Sequence, residues 1–138
     1  MRDLEITGVN LSGADLRRAD LRNTYFYKTN LKQANLSGAV MTGATFDNCT
    51  MDGATIRKTR MNKVKLQDCS INKADLSNSR LNEVTFVQSN LSFSTLNNLK
   101  CHETIFYRSE VQHCEAKNST YEKGVINDSK FIGSDLTD

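Results

Sequence analysis

The chain has 138 residues, 38% of them apolar, and its 18 Lys and Arg nearly balance 16 Asp and Glu for a formal net charge of +2. That length predicts one domain over residues 1–138, and the charge balance excludes the strongly basic footprint of a nucleic-acid binder, so no direct nucleic-acid contact is expected. Mean hydropathy is −0.53, no run approaches the roughly 18 apolar residues of a membrane helix, and no apolar signal region follows Met1, so a cytoplasmic protein without a membrane span is expected.

From Ile6 onward the elements repeat every five residues: Leu11, Leu16, Leu21, Phe26, Leu31, Leu36, and so on through Leu136, 27 consecutive apolar residues. Chance alone produces such a run with a probability on the order of 10⁻¹¹. A second register lies two residues earlier, with small residues such as Val9, Ala14, Ala19, Ala34, Cys49 and Ala74; only Leu4 and Leu99 in it are larger than Val. No charged residue falls in either register. A period of five fits neither the 3.6 of an α-helix nor the 2 of a long strand, so the chain must turn its apolar residues inward by winding. If each unit forms one side of a square coil, the large residue points to the axis at mid-side and the small one points inward near the corner. Twenty residues then close one coil. Of the seven Gly, Gly8, Gly13, Gly38, Gly43, Gly53 and Gly133 occupy the last position of the unit, where the chain turns and a positive φ is expected.

The blocks Ala14–Asp15–Leu16–Arg17–Arg18, Ala19–Asp20–Leu21–Arg22–Asn23, Ala34–Asn35–Leu36–Ser37–Gly38 and Ala74–Asp75–Leu76–Ser77–Asn78 resemble the A(D/N)LXX consensus of pentapeptide repeat proteins, and the resemblance covers essentially the whole chain. It implies an all-β fold, a right-handed quadrilateral parallel β-helix of about seven coils, roughly 33 Å long at about 4.8 Å per coil. Cys101, Ala116 and Tyr121 depart from the usual Leu or Phe, and Leu99 stands where a small residue belongs. Local irregularity is therefore expected between Leu99 and Tyr121.

Steps of 20 bring Ile6, Phe26, Phe46, Leu66, Phe86, Phe106 and Ile126 into one internal column. On the outside of the same side lie Tyr25, Tyr27, Val87, Ile105, Tyr107 and Val125, a candidate partner surface. The competing reading is an ordinary strand surface, which favours Val, Ile and Tyr without any partner. Arg60, Arg80 and Lys100 stack on a neighbouring side, a candidate basic ladder for an anionic partner, with Arg22 and Lys63 close by. Glu83 and Glu103 share that side, and neutralisation by them, leaving a plain solvated ladder, is the alternative.

The four cysteines and two histidines suggest a metal site only superficially. Cys49, Cys69, Cys101 and Cys114 fall on inward positions, whereas His102 and His113 fall on outward or corner positions of different sides, so no tetrahedral site is expected. Cys49 and Cys69 stack one coil apart, close enough for a disulfide, but packed free thiols are the expectation in a reducing compartment. A filled solenoid offers no concave site joining nucleophile, base and orienting group, so no enzyme activity and no cofactor are expected.

These readings point to a non-enzymatic solenoid that binds a protein partner or acts as a scaffold. Two alternatives remain open. One is the activity implied by the resemblance, binding a type II topoisomerase as a DNA mimic, which calls for a strongly acidic rod rather than this slightly basic one. The other is the β-helix portion of a secreted bacterial effector. The repeat still runs at Leu136, and uncapped coils at either end would permit end-to-end self-association.

Overall fold

The computed structural model describes residues 1–129; Phe131, Ile132, Gly133, Ser134 and Leu136 lie outside the described residues. The chain winds into an all-β parallel solenoid of about six turns with a 20-residue register, Ile6 pairing with Phe26 and Phe26 with Phe46. Two of its four sides carry strands. One holds a seven-stranded sheet made of β1 (Glu5–Thr7), β2 (Tyr25–Tyr27), β3 (Thr45–Asp47), β5 (Lys65–Gln67), β7 (Thr85–Val87), β9 (Ile105–Tyr107) and β11 (Val125–Asn127). The adjoining side holds a four-stranded sheet of β4 (Arg60–Asn62), β6 (Arg80–Asn82), β8 (Lys100–His102) and β10 (Thr120–Glu122). Among the described residues the other two sides are joined only through single-residue bridges, such as Asn30 with Thr50 and Asp75 with Thr95. Among the described residues no helix is long and apolar enough to cross a membrane.

Both registers line the axis. Leu21, Leu31, Leu36, Phe26 and Phe46 are fully buried, as are the small residues Ala34, Ala39 and Ala44. At roughly 1.5–3 kcal/mol for each large side chain, this burial is the main force holding the coils together. The phenylalanine column stacks as two pairs, Phe26 on Phe46 at 4.7 Å and Phe86 on Phe106 at 4.8 Å, with Leu66 between them.

Every fifth residue from Asp3 to Asp128 has positive φ, near +50° to +70°, and only five of these are glycine. The corner therefore imposes a left-handed residue on each unit whatever its side chain. In the turn Leu11–Ser12–Gly13–Ala14, Gly13 has φ +67° and the Ala14 N–H donates to the Leu11 carbonyl at 3.1 Å, the arrangement of a type II turn.

On the bridge sides the N–H following the large residue has no cross-coil carbonyl to meet, and the residue preceding the large one supplies the acceptor. Asn10, Asp15, Asn30, Asn35, Asp75 and Asn90 each accept the N–H two residues on, at 2.9–3.2 Å. This Asx geometry is the physical content of the D/N in the repeat. At two positions where that residue is neither Asp nor Asn, a side chain of the adjoining coil substitutes: Asp52 accepts from the Asn72 N–H beside Ser70, and Asn97 from the Lys117 N–H beside Glu115.

Hydroxyls in the small register add cross-coil ties. Ser79 Oγ accepts the Thr59 N–H at 3.0 Å and donates to the Ile56 carbonyl at 2.8 Å, and Ser94 does the same for Ala74 and Ile71. Among the described residues no buried side-chain nitrogen or oxygen lacks a partner, as a dry interior requires.

The irregularity expected between Leu99 and Tyr121 does not break the winding. Leu81, Cys101 and Tyr121 remain direct partners, and Leu99 and Cys101 are both buried, a large small-site residue compensating an undersized neighbour. Only Tyr121 is exposed, at 40%.

Candidate interaction surfaces

Functional side chains on this scaffold must stand on the outward positions either side of each large residue. On the seven-stranded side those positions form two rows. One runs Glu5, Tyr25, Thr45, Lys65, Thr85, Ile105, Val125 and the other Thr7, Tyr27, Asp47, Gln67, Val87, Tyr107, Asn127. All six candidate contact residues stand on this sheet, but not in one strip. Tyr25 and Tyr27 on β2 are separated from the rest by Thr45, Asp47, Lys65 and Gln67 on β3 and β5.

The two groups differ in character. The Tyr25 and Tyr27 rings lie parallel with centroids 6.2 Å apart, the Tyr25 hydroxyl donates to Asp47 at 3.1 Å, and Lys28 covers Tyr27 at 5.0 Å. Burial together with the Asp47 carboxylate pushes the Tyr25 phenol above its usual range. In the second group Val87 pairs with Tyr107 and Ile105 with Val125. Ile105 is 37% and Val125 50% exposed, and Arg108 lies 4.9 Å over the Tyr107 ring. Thr85, Val87, Ile105, Tyr107 and Val125 thus make one continuous, mostly apolar strip over three strands.

On the four-stranded side Arg60, Arg80 and Lys100 are direct Cα partners. Glu83 and Glu103 do not neutralise them. They occupy the corner at the opposite edge of the side, where Glu83 meets Lys63 at 3.7 Å and Glu103 meets Lys123 at 3.9 Å and His102 at 3.4 Å. Arg22 is equally committed, held by Asp20 at 2.6 Å; its guanidinium keeps the Asp20 carboxyl well below the usual range.

The cysteines are free thiols facing inward. Cys49 donates to the Phe26 carbonyl, Cys69 to Phe46 and Cys114 to Leu91 at 3.1–3.4 Å. Cys69 is pushed up by its contact with Cys49 and by burial, and burial pushes Cys101 up to about 12. Thiols held protonated in this way are poor nucleophiles and metal ligands, and among the described residues no group of three His, Cys, Asp or Glu is placed to hold a metal ion. One feature lies outside the two inward registers: His113 stacks on the exposed Phe93 ring at 5.2 Å, both at left-handed corners one coil apart. The 20-residue interval between them was the available signal.

Four flat sides wound around a filled axis define a parallel β-solenoid built from five-residue units. This chain belongs to the pentapeptide repeat family, the pattern of pentapeptide repeats matching it in 8 copies over residues 5–43, 29–68, 59–98 and 69–109. Full-length QnrB1, a plasmid-mediated fluoroquinolone resistance protein, is similar in fold, with 14% identity over 92% of this chain and 93% of that chain and a TM-score of 0.59. A trypsin-treated variant of QnrB1 gives 16% identity over 100% of this chain and 85% of that one, with a TM-score of 0.55. HetL, a pentapeptide repeat protein involved in heterocyst differentiation regulation from the cyanobacterium Nostoc sp. strain PCC 7120, shares 20% identity over 100% of this chain and 85% of that one, at a TM-score of 0.32. Among curated proteins none matches.

Proposed function

We propose that this chain is a non-enzymatic protein-binding solenoid and that the strip formed by Val87, Ile105, Tyr107 and Val125 is its principal contact surface. The observation carrying this reading is the continuity of that strip across β7, β9 and β11. Adjacent apolar side chains on a rigid sheet, Ile105 and Val125 exposed and Val87 and Tyr107 half-buried, supply desolvation energy without a folding cost, and Tyr107 adds a ring of the kind enriched at binding hot spots. The filled axis supports the absence of catalysis, since the large residues that would have to open a pocket are the ones that hold the coils.

The test is an affinity capture comparing wild type with Tyr107→Asp. Loss of specific partners from the variant, which should melt like wild type because the side chain is outward, supports the reading. Survival of every captured partner overturns it.

Topoisomerase binding by DNA mimicry is the weaker reading. A mimic needs rows of carboxylates at repeating intervals, whereas three successive like charges here, Arg60, Arg80 and Lys100, are cationic. The expected result in a gyrase supercoiling assay is no protection from a fluoroquinolone at micromolar protein.

A further inference from the structure

The four-stranded side carries charge that the fold itself leaves uncompensated. Arg60, Arg80 and Lys100 stand one above another at the strand spacing of roughly 4.8 Å, and like charges directly opposite one another destabilise a sheet. The carboxylates on this side are engaged elsewhere: Glu83 with Lys63, Glu103 with Lys123, and Glu122 with His102 at 3.5 Å. Among the described residues no acidic group comes within ion-pair distance of the three cations.

Beside this column runs a shallow groove of about 280 Å³, lined by Arg80 and Lys100 on one flank and by Asn82, His102 and Glu122 on the other. Arg80 offers a planar fork of donors that matches a carboxylate, and Lys100 a point charge one coil away. The amide nitrogen of Asn82 is committed to Asn62 at 2.7 Å, which leaves its oxygen to accept a donor. A peptide provides both complements, side-chain carboxylates and backbone N–H groups, whereas a phosphodiester backbone provides only the acceptors. The cationic column is also short. It gives way to Val40 and then Asp20 on one side and to Thr120, beside Glu122, on the other, so a continuous polyphosphate would run onto acidic residues at both ends.

We infer that this groove binds a short acidic protein segment, two or three carboxylates long, over Arg80 and Lys100. The inference deepens the protein-binding reading by naming the partner's chemistry, but it uses a different side of the coil from Tyr107, so each can fail alone.

The test is fluorescence anisotropy of labelled hexaglutamate with the full chain at low salt, alongside an oligothymidylate of equal charge. Arg80→Glu and Lys100→Gln should each weaken the peptide about tenfold or more, and Glu122→Gln should tighten it several-fold. Arg80→Glu should at the same time melt at a higher temperature than wild type, because it places an anion between Arg60 and Lys100. Peptide affinity indifferent to all three substitutions overturns the inference. So does an oligonucleotide that binds more tightly than the peptide through the same residues, which would make this a nucleic-acid surface. Tyr107→Asp should leave hexaglutamate binding unchanged whether or not it loses captured partners.

Discussion

The strand sides and the bridge sides of the coil enclose the same interior but solve their outer hydrogen bonding differently. On a bridge side an Asp or Asn before the large residue is occupied by backbone duty: Asp75 accepts the Ser77 N–H at 2.9 Å and Asn90 the Ser92 N–H at 2.9 Å. On a strand side the neighbouring coils satisfy the backbone, and the equivalent positions hold Tyr25, Thr45, Lys65, Thr85 and Ile105 without constraint. Side chains released from structural work are free to serve recognition, and both candidate surfaces lie on strand sides. Outward Asp and Asn side chains on the bridge sides double as backbone acceptors, whereas outward side chains on the strand sides can vary.

The largest expected effect ignores this distinction, because the interior is shared. Leu76 on a bridge side and Leu66 on a strand side are each about 1% exposed, and Leu76→Lys or Leu66→Lys would place an unpaired charge on the dry axis. Either variant should lose its cooperative thermal transition. Melting within a few degrees of wild type would mean that the winding register is wrong. The distinction itself is sharpened by a smaller pair. Asp75→Ala leaves the buried Ser77 N–H without its acceptor and should cost about 1–2 kcal/mol in denaturant unfolding, whereas Thr85→Ala, at the corresponding position of a strand side, should stay within about 0.5 kcal/mol. Equal losses from the two would erase the division.

The interior was legible from the amino-acid sequence because its constraint is purely apolar and strictly periodic. Leu16, Leu36, Leu76 and Leu96 cannot be replaced by charge without opening the coil, so the five-residue interval survives in every unit. The division between strand and bridge sides was harder to see, since both keep the same two registers. In retrospect it is carried by Asn10, Asp15, Asn35, Asp75 and Asn90, polar residues whose role depends on a local N–H and not on burial. The grouping of outward residues on one sheet followed from the 20-residue step, but their continuity did not. Thr45, Asp47, Lys65 and Gln67 divide the six apolar candidates, and an inventory of apolar residues alone passes over what stands between them. The pairing of Glu83 and Glu103 with the corner lysines was also hidden, because a shared side says nothing of which edge a carboxylate occupies.

The smallest effect probes the interior of the four-stranded side by titration. Cys101 lies between Leu81 and Tyr121 in its column, and burial raises its thiol from an ordinary value of 9.0 to about 12. Below pH 9 the thiol is protonated in both folded and unfolded chains and costs nothing. Above pH 9 the unfolded chain releases the proton while the folded chain keeps it, so stability falls with rising pH until the folded thiol ionises near 12. At pH 10 the loss from this group is about 1 kcal/mol. Cys101→Val fills a similar volume without a titrating group, so its stability should fall less than that of wild type between pH 7 and pH 10 in paired denaturant melts. Cys114→Val on a bridge side is the control, because the Cys114 thiol also donates to the Leu91 carbonyl at 3.1 Å and its replacement forfeits that bond at neutral pH as well. Parallel decline of wild type and Cys101→Val would show that Cys101 ionises as readily in the folded coil as in the unfolded chain, and that the axis there is open to water.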